Sequence, residues 1–155
     1  KDVLTQVTAI SPEGDFKTFS LEEMQLGYRK SVFQSNGYYV LQAVMSLNNG
    51  NQDEIRSKMQ GFARSRREKQ PLEYPSAGST FKRPSGYYVG PLLQELGLKG
   101  FTIGGAQVST KHAGFIINTG NATAQDVLDL ISYIQEKTLD KYGVLLEPEL
   151  KIVGE

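Results

Sequence analysis

Cysteine is absent from the chain. Disulfides, thiol catalysis and zinc or iron–sulfur sites built on thiolates are excluded with it. Histidine occurs once, as His112, so no multi-histidine metal centre can form and no metal site is expected. A charge excess is missing too. Lys plus Arg total 17 and Asp plus Glu total 17. A general nucleic-acid binder carries a basic surplus, so no nucleic-acid partner is expected. No apolar run approaches the ~20 residues of a membrane helix, and no signal-peptide pattern is visible. No membrane partner follows. No GxGxxG or Walker loop occurs, and Gly104-Gly105 is too short for a dinucleotide fingerprint. Lys1 enters a strand-like pattern at once, with no initiator Met, which hints at a fragment.

What is present suits a packed fold. The chain has 155 residues, 39% of them hydrophobic, enough for one domain or a domain plus part of another. Residues 3–9 alternate, with Val3, Thr5, Val7 and Ala9 on one face of a strand. The turn residues Pro12 and Gly14 lead back through Phe16–Phe19, which reads as a hairpin. Residues 38–47 form the most strand-like stretch. Both faces are apolar, so this strand is expected to be covered on both sides.

The period changes at 51–68. Ile55, Met59, Phe62 and Arg66 follow a helical repeat, and Asn51 with Glu54 resembles a capping box. Pro71 and Pro75 bracket an extended connector. A short helix is expected over 90–97, between Pro91 and Gly97. Residues 101–109 and 113–120 look like strands broken by glycines. Thr123 and Asp126 open the longest helix, with Val127, Leu130, Ile131 and Ile134 on one stripe and Gly143 as its stop. Residues 144–153 read as strand, Pro148 interruption, strand. The class is α+β, in two units joined by the 51–68 helix.

Three clusters carry chemistry-bearing residues. In PSAGSTFKRP, residues 75–84, Gly78 lets main chain approach a ligand, and Lys82 and Arg83 suit an anion. The same stretch also reads as a polar surface loop. In LGYRKSVF, residues 26–33, Arg29 beside Tyr28 in a strand-like stretch could meet a carboxylate, or be a solvated edge arginine. In LEPEL, residues 146–150, Glu147 and Glu149 flank Pro148 and would point to one side of an extended chain. Paired carboxylates serve acid–base chemistry, and are also common on plain surfaces. His112 is a general base, a ligand contact or a surface residue.

The order of the motifs is more specific than any one of them. GYRxS, RxxKxP, AGSTFKRP, LKGFTIGGAQVSTKHAGFIIN and LEPELKIVGE, in that order, resemble the second half of the UDP-N-acetylenolpyruvoylglucosamine reductases, the MurB family. The FKRP and KHAGF forms are similar to its type II branch. The resemblance covers essentially the whole chain. It implies an FAD- and NADPH-dependent reduction of UDP-N-acetylglucosamine enolpyruvate to UDP-N-acetylmuramate, in cell-wall precursor synthesis in the bacterial cytoplasm, by a monomer. It implies that residues 1–48 are the last strands of the flavin-binding domain. Residues 49–155 would be the substrate-binding domain, its last strand returning to the flavin domain.

Site residues follow from the same resemblance. Ser79 matches the proton donor, Glu149 an assisting carboxyl, and Arg29 an arginine facing the enolpyruvyl carboxylate and the flavin. Lys69 matches a contact to the nucleotide diphosphate. Tyr28, Arg83 and His112 match substrate-side positions, although Arg83 replaces the asparagine of the FKNP form. Gly78 would let main chain meet the flavin edge. The glycine-rich loops that anchor FAD in the family do not occur here, so this chain by itself is expected to be inactive. The alternative is a stand-alone module that binds UDP-sugars or other anions without redox chemistry.

Overall fold

The structure, a computed structural model, describes residues 2–153. It is α+β and divides into two compact units, residues 1–55 and 56–155. The division falls inside the first turn of a helix rather than before it.

The first unit is a three-stranded antiparallel sheet of β1 (Leu4–Ile10), β2 (Phe16–Ser20) and β3 (Tyr39–Met45), in the order β2-β1-β3. The β1–β2 turn is tied by the Ser11 hydroxyl, which accepts from the amides of Glu13 and Asp15. Gly14 takes the left-handed conformation that the turn requires, with φ +98°. The core of this unit is small: Val7, Ala9, Phe19 and Met24 are buried, with Phe33 and Tyr38 set edge-on against Phe19. The period-two face of β1 holds for Val7 and Ala9 only. A register shift between Leu4 and Gln6 turns Leu4 toward the core in place of the expected Val3 and Thr5. A bulge of this kind inserts one residue and switches the face of everything before it.

β3 departs from expectation. All of its residues are exposed, and β1 is its one neighbour in the sheet. The sequence has the two-sided apolar pattern of an interior strand, but nothing among the described residues covers it.

The second unit is a four-stranded antiparallel sheet overlaid by helices. Helix α1 (Gln52–Lys69) leads into it from the first unit, capped by the Asn51 carboxamide, which accepts from the amides of Asp53 and Glu54. No residue of α1 is buried. Then come β4 (Ser76–Ser79), α2 (Val89–Glu95), β5 (Thr102–Ile103), β6 (Ala106–Val108), β7 (Phe115–Asn118) and α3 (Ala124–Tyr142), with sheet order β4-β7-β6-β5. The glycine break expected at 104–105 is the tip of the β5–β6 hairpin, where Ile103 pairs with Ala106.

Helix α3 forms as its pattern dictates. Thr123 and Asp126 make a reciprocal capping box, and Gly143 ends the helix in the left-handed conformation. Its stripe of Leu130, Ile131 and Ile134 is buried with Ala106, Val108 and Ile116 of the sheet and Leu92 and Leu93 of α2.

The strand–Pro–strand expected over 144–153 does not form. The segment carries no regular strand and makes one isolated bridge, Pro148 to Phe81. Two hydrogen bonds flank it: Lys82 amide to Glu147 carbonyl and Glu149 amide to Thr80 carbonyl, each 2.8 Å. The two bonds fall on either side of Pro148, a non-hydrogen-bonded position where proline's missing amide costs the pairing nothing. Leu146, fully buried in the same core as Phe81, anchors the segment.

Candidate functional site

Ser79 ends β4 directly after a local irregularity. Ser76 pairs with Ile117 and Ser79 with Phe115, so three steps along β4 match two along β7. The extra residue is absorbed at Gly78, whose φ is +84°. A bulge re-aims the side chain that follows it, and here that side chain is Ser79, which is exposed. A Cβ at position 78 would meet nothing within 4 Å. Glycine is therefore required by the backbone angle, and the space beside it is open.

Thr80, the next residue, is the knot of the site. It is 2% exposed. Its amide donates to the Gly114 carbonyl at 2.9 Å, its hydroxyl accepts from the Ile116 amide at 3.1 Å, and its carbonyl accepts from the Glu149 amide. One residue thus fastens β4 to β7 on one side and to the C-terminal segment on the other. Ser79 and Glu149, far apart in sequence, come to adjoining positions of one backbone pairing. Sequence reading missed Thr80; nothing but its place inside AGSTFKRP marked it.

The two glutamates of LEPEL separate in environment. Glu147 is exposed and ion-paired with Lys82. Glu149 is half-buried, and its Oε2 oxygen is shielded from solvent.

His112 lies in the turn between β6 and β7. The Ser109 hydroxyl accepts from the amides of Lys111 and His112, and His112 Nδ1 accepts from the Gly114 amide at 3.1 Å. Its ring stands edge-on to Phe115. A Cβ at Gly114 would come within 3.0 Å of that ring. The imidazole therefore helps build the turn that receives Thr80. It also borders an open pocket of about 180 Å³ with Lys99, Lys111, Pro91 and Gln94. Lys111 is paired with Glu73 at 3.2 Å. Hydrogen bonds from the Glu73 amide and from Lys111 hold the Glu73 carboxyl below its ordinary range.

Arg83 follows the Phe81–Pro148 bridge. Its guanidinium lies 3.7 Å from the centre of the Tyr88 ring, and its Nε donates to the Tyr87 carbonyl. Lys69 is the exposed last residue of α1.

Tyr28 and Arg29 belong to the first unit and are not on a strand. They are the central residues of a tight turn closed by Gly27 and Lys30. Arg29 has φ +52°, a left-handed conformation uncommon for a non-glycine residue, and its guanidinium lies 5.3 Å from the Tyr28 ring centre. Both residues are exposed.

One further cluster ties the layers of the second unit. The Asp126 carboxylate accepts from the amides of Thr123 at 2.9 Å and Gly105 at 3.1 Å. Those two bonds, Thr123 first, lower its pKa from the ordinary value.

The chain is similar to known proteins over its whole length. The profile of the family described as "UDP-N-acetylenolpyruvoylglucosamine reductase, C-terminal domain" matches residues 70–153. The UDP-N-acetylenolpyruvoylglucosamine reductase of Syntrophomonas wolfei is 57% identical over all of this chain, which covers 52% of that protein. The namesake from Caldanaerobacter subterraneus is 55% identical over all of this chain, covering 51% of that protein. The crystal structure of the reductase MurB from Thermus caldophilus superposes with a TM-score of 0.83 at 35% identity, over 97% of this chain and 53% of that one. The chain spans about half the length of the curated relatives it matches.

Proposed function

The chain belongs to the UDP-N-acetylenolpyruvoylglucosamine reductase family, matched over that family's C-terminal domain. From this premise we propose that it is the substrate-handling half of such a reductase. The whole enzyme reduces the enolpyruvyl group of UDP-N-acetylglucosamine enolpyruvate to a lactyl group, as a monomer in the bacterial cytoplasm. The product is UDP-N-acetylmuramate, a cell-wall precursor. Residues 1–48 are strands of the flavin-binding domain, completed by sequence outside this chain. The exposed, two-sided apolar β3 supports that assignment, because such a strand is stable inside a larger sheet.

The observation that carries the proposal is the Thr80–Glu149 backbone bond beside Ser79. It sets the backbone of Glu149 beside that of Thr80, the neighbour of Ser79, and so supports a shared site for the two motifs. Gly78 leaves open space at its α-carbon, next to Ser79, which supports a close approach of the flavin edge there. When bound, FAD reduced by NADPH supplies the hydride. The chain's own residues manage charge and proton. The Ser79 hydroxyl gives its proton to the enolate-like carbon of the substrate. An enolate is basic enough to take a proton from so weak an acid when the two are well placed. Glu149, partly shielded, assists at the same centre. Arg29, presented on its turn tip, offers a fixed positive charge to the enolpyruvyl carboxylate and steadies the developing negative charge. Lys69 and Arg83 take the diphosphate, and Tyr28 and His112 shape the pocket. The chain by itself is inactive, because the anchors of the cofactor lie elsewhere.

The test is made on the reductase reassembled from this chain and its complementary half. Ser79→Ala should leave flavin reduction by NADPH near normal. It should slow flavin reoxidation by the enolpyruvyl sugar by orders of magnitude, since that half alone needs the proton. Equal loss in both halves refutes the role of Ser79. If this chain alone binds UDP-sugars and no complementary half restores reduction, the stand-alone binding module replaces the reductase.

A further inference from the structure

Residues 82–88 fold back on themselves. The Tyr87 amide donates to the Pro84 carbonyl at 3.4 Å, and Gly86, with φ +78°, takes the left-handed position of the turn. The fold-back lays the Arg83 guanidinium on the Tyr88 ring, 3.7 Å from its centre, and lets Nε donate to the Tyr87 carbonyl at 3.3 Å. Tyr88 is 61% exposed, and its side chain takes no part in capping α2.

The neighbouring cation behaves differently. Lys82 is committed to Glu147, whereas no carboxylate pairs with Arg83 among the described residues. The loop thus occupies one face and one N–H of the guanidinium. The two terminal nitrogens, the part that grips two oxygens at once, stay available. A solvent-facing arginine ordinarily samples many rotamers and loses that freedom when it binds. Stacking removes much of the cost beforehand.

We infer that Tyr88 is a positioning residue that holds Arg83 as a pre-formed fork for the diphosphate of a nucleotide ligand. The inference rests on the substrate-handling reading above. It adds a residue to which neither the motifs nor that reading gives a role. The planar fork needs its face supported; the phenol hydroxyl does not enter.

The experiment is calorimetric titration of the chain with UDP and, separately, with uridine, at low salt. Tyr88→Leu should weaken UDP binding roughly 3- to 10-fold, the range of a cation–π contact, and leave uridine binding unchanged. Tyr88→Phe, which keeps the ring, should bind UDP like the parent. In an Arg83→Gln background, Tyr88→Leu should have no further effect. Parent-like UDP affinity in Tyr88→Leu, or an equal loss in the Arg83→Gln background, overturns the inference and leaves the substrate-handling reading intact. A parent chain that binds no UDP overturns both.

Discussion

The amide of Glu149 donates to the carbonyl of Thr80 at 2.8 Å. This bond joins the C-terminal segment to the residue that follows Ser79. Thr80 in turn is held by β7 through its hydroxyl and by Gly114, just before that strand, through its amide. The relative placement of Ser79 and Glu149 therefore depends on a buried threonine that carries no chemistry of its own.

Thr80→Val tests that dependence. The substitution keeps the shape and removes the hydroxyl, leaving the Ile116 amide without its acceptor in a buried site. Stability should fall by about 1–3 kcal/mol. Thr80→Ser keeps the hydroxyl and should lose only about 1 kcal/mol, for one methyl group. Urea unfolding measures both. Equal losses in the two variants would show that packing, not the hydrogen bond, holds the site.

Gly105→Ala and Gly78→Ala make the same chemical change for different reasons. A Cβ at Gly105 would come within 2.2 Å of the Ala122 backbone nitrogen, at the foot of α3. The helix would have to move off the hairpin, at a cost on the order of 3 kcal/mol. A Cβ at Gly78 meets nothing, and only the positive φ opposes it, at a cost of about 1–2 kcal/mol. Thermal unfolding should rank Gly105→Ala well below Gly78→Ala. The reverse order would contradict the close approach of α3 to the β5–β6 turn.

Acid should loosen the α3 cap through Asp126. Its carboxyl has a lowered pKa in the folded state because the Thr123 and Gly105 amides donate to its charged form. The stabilisation is then fully present above the ordinary value of 3.8 and is lost as pH falls through the lowered folded value. Asp126→Asn should be less stable than the parent at neutral pH. The gap should close as pH drops below about 4. Denaturant melts across that range measure it. A gap that stays constant down to low pH would assign the lost stability to shape rather than charge.

Much of the architecture was legible in the residues. The stripe of Leu130, Ile131 and Ile134, with Thr123 and Asp126 before it and Gly143 after it, specifies α3 locally, because a helix satisfies its own backbone. The β1–β2 hairpin is similarly local. The motifs AGSTFKRP and LEPEL flagged Ser79 and Glu149 as candidates. Illegible was whatever depends on distant pairing. The 144–153 segment has strand composition, yet its pairing with residues 80–82 amounts to a single bridge. Tyr28 and Arg29 looked strand-like and sit on a turn tip, because Arg29 takes a left-handed angle that no periodicity announces. β3 has the pattern of a covered strand and is exposed throughout, since a pattern records what residues require, not what a chain supplies.

The sequence by itself determined the α+β class, the main helices with their caps, and the family. These rest on local periodicity and on strings of neighbouring residues. Tertiary structure alone decided that Glu149 meets the strand bearing Ser79, that Thr80 knots them, and that Tyr88 lies beneath Arg83. Leu146 and Phe81 must share one core, and burying them together draws the end of the chain onto β4, a contact that no short-range rule encodes.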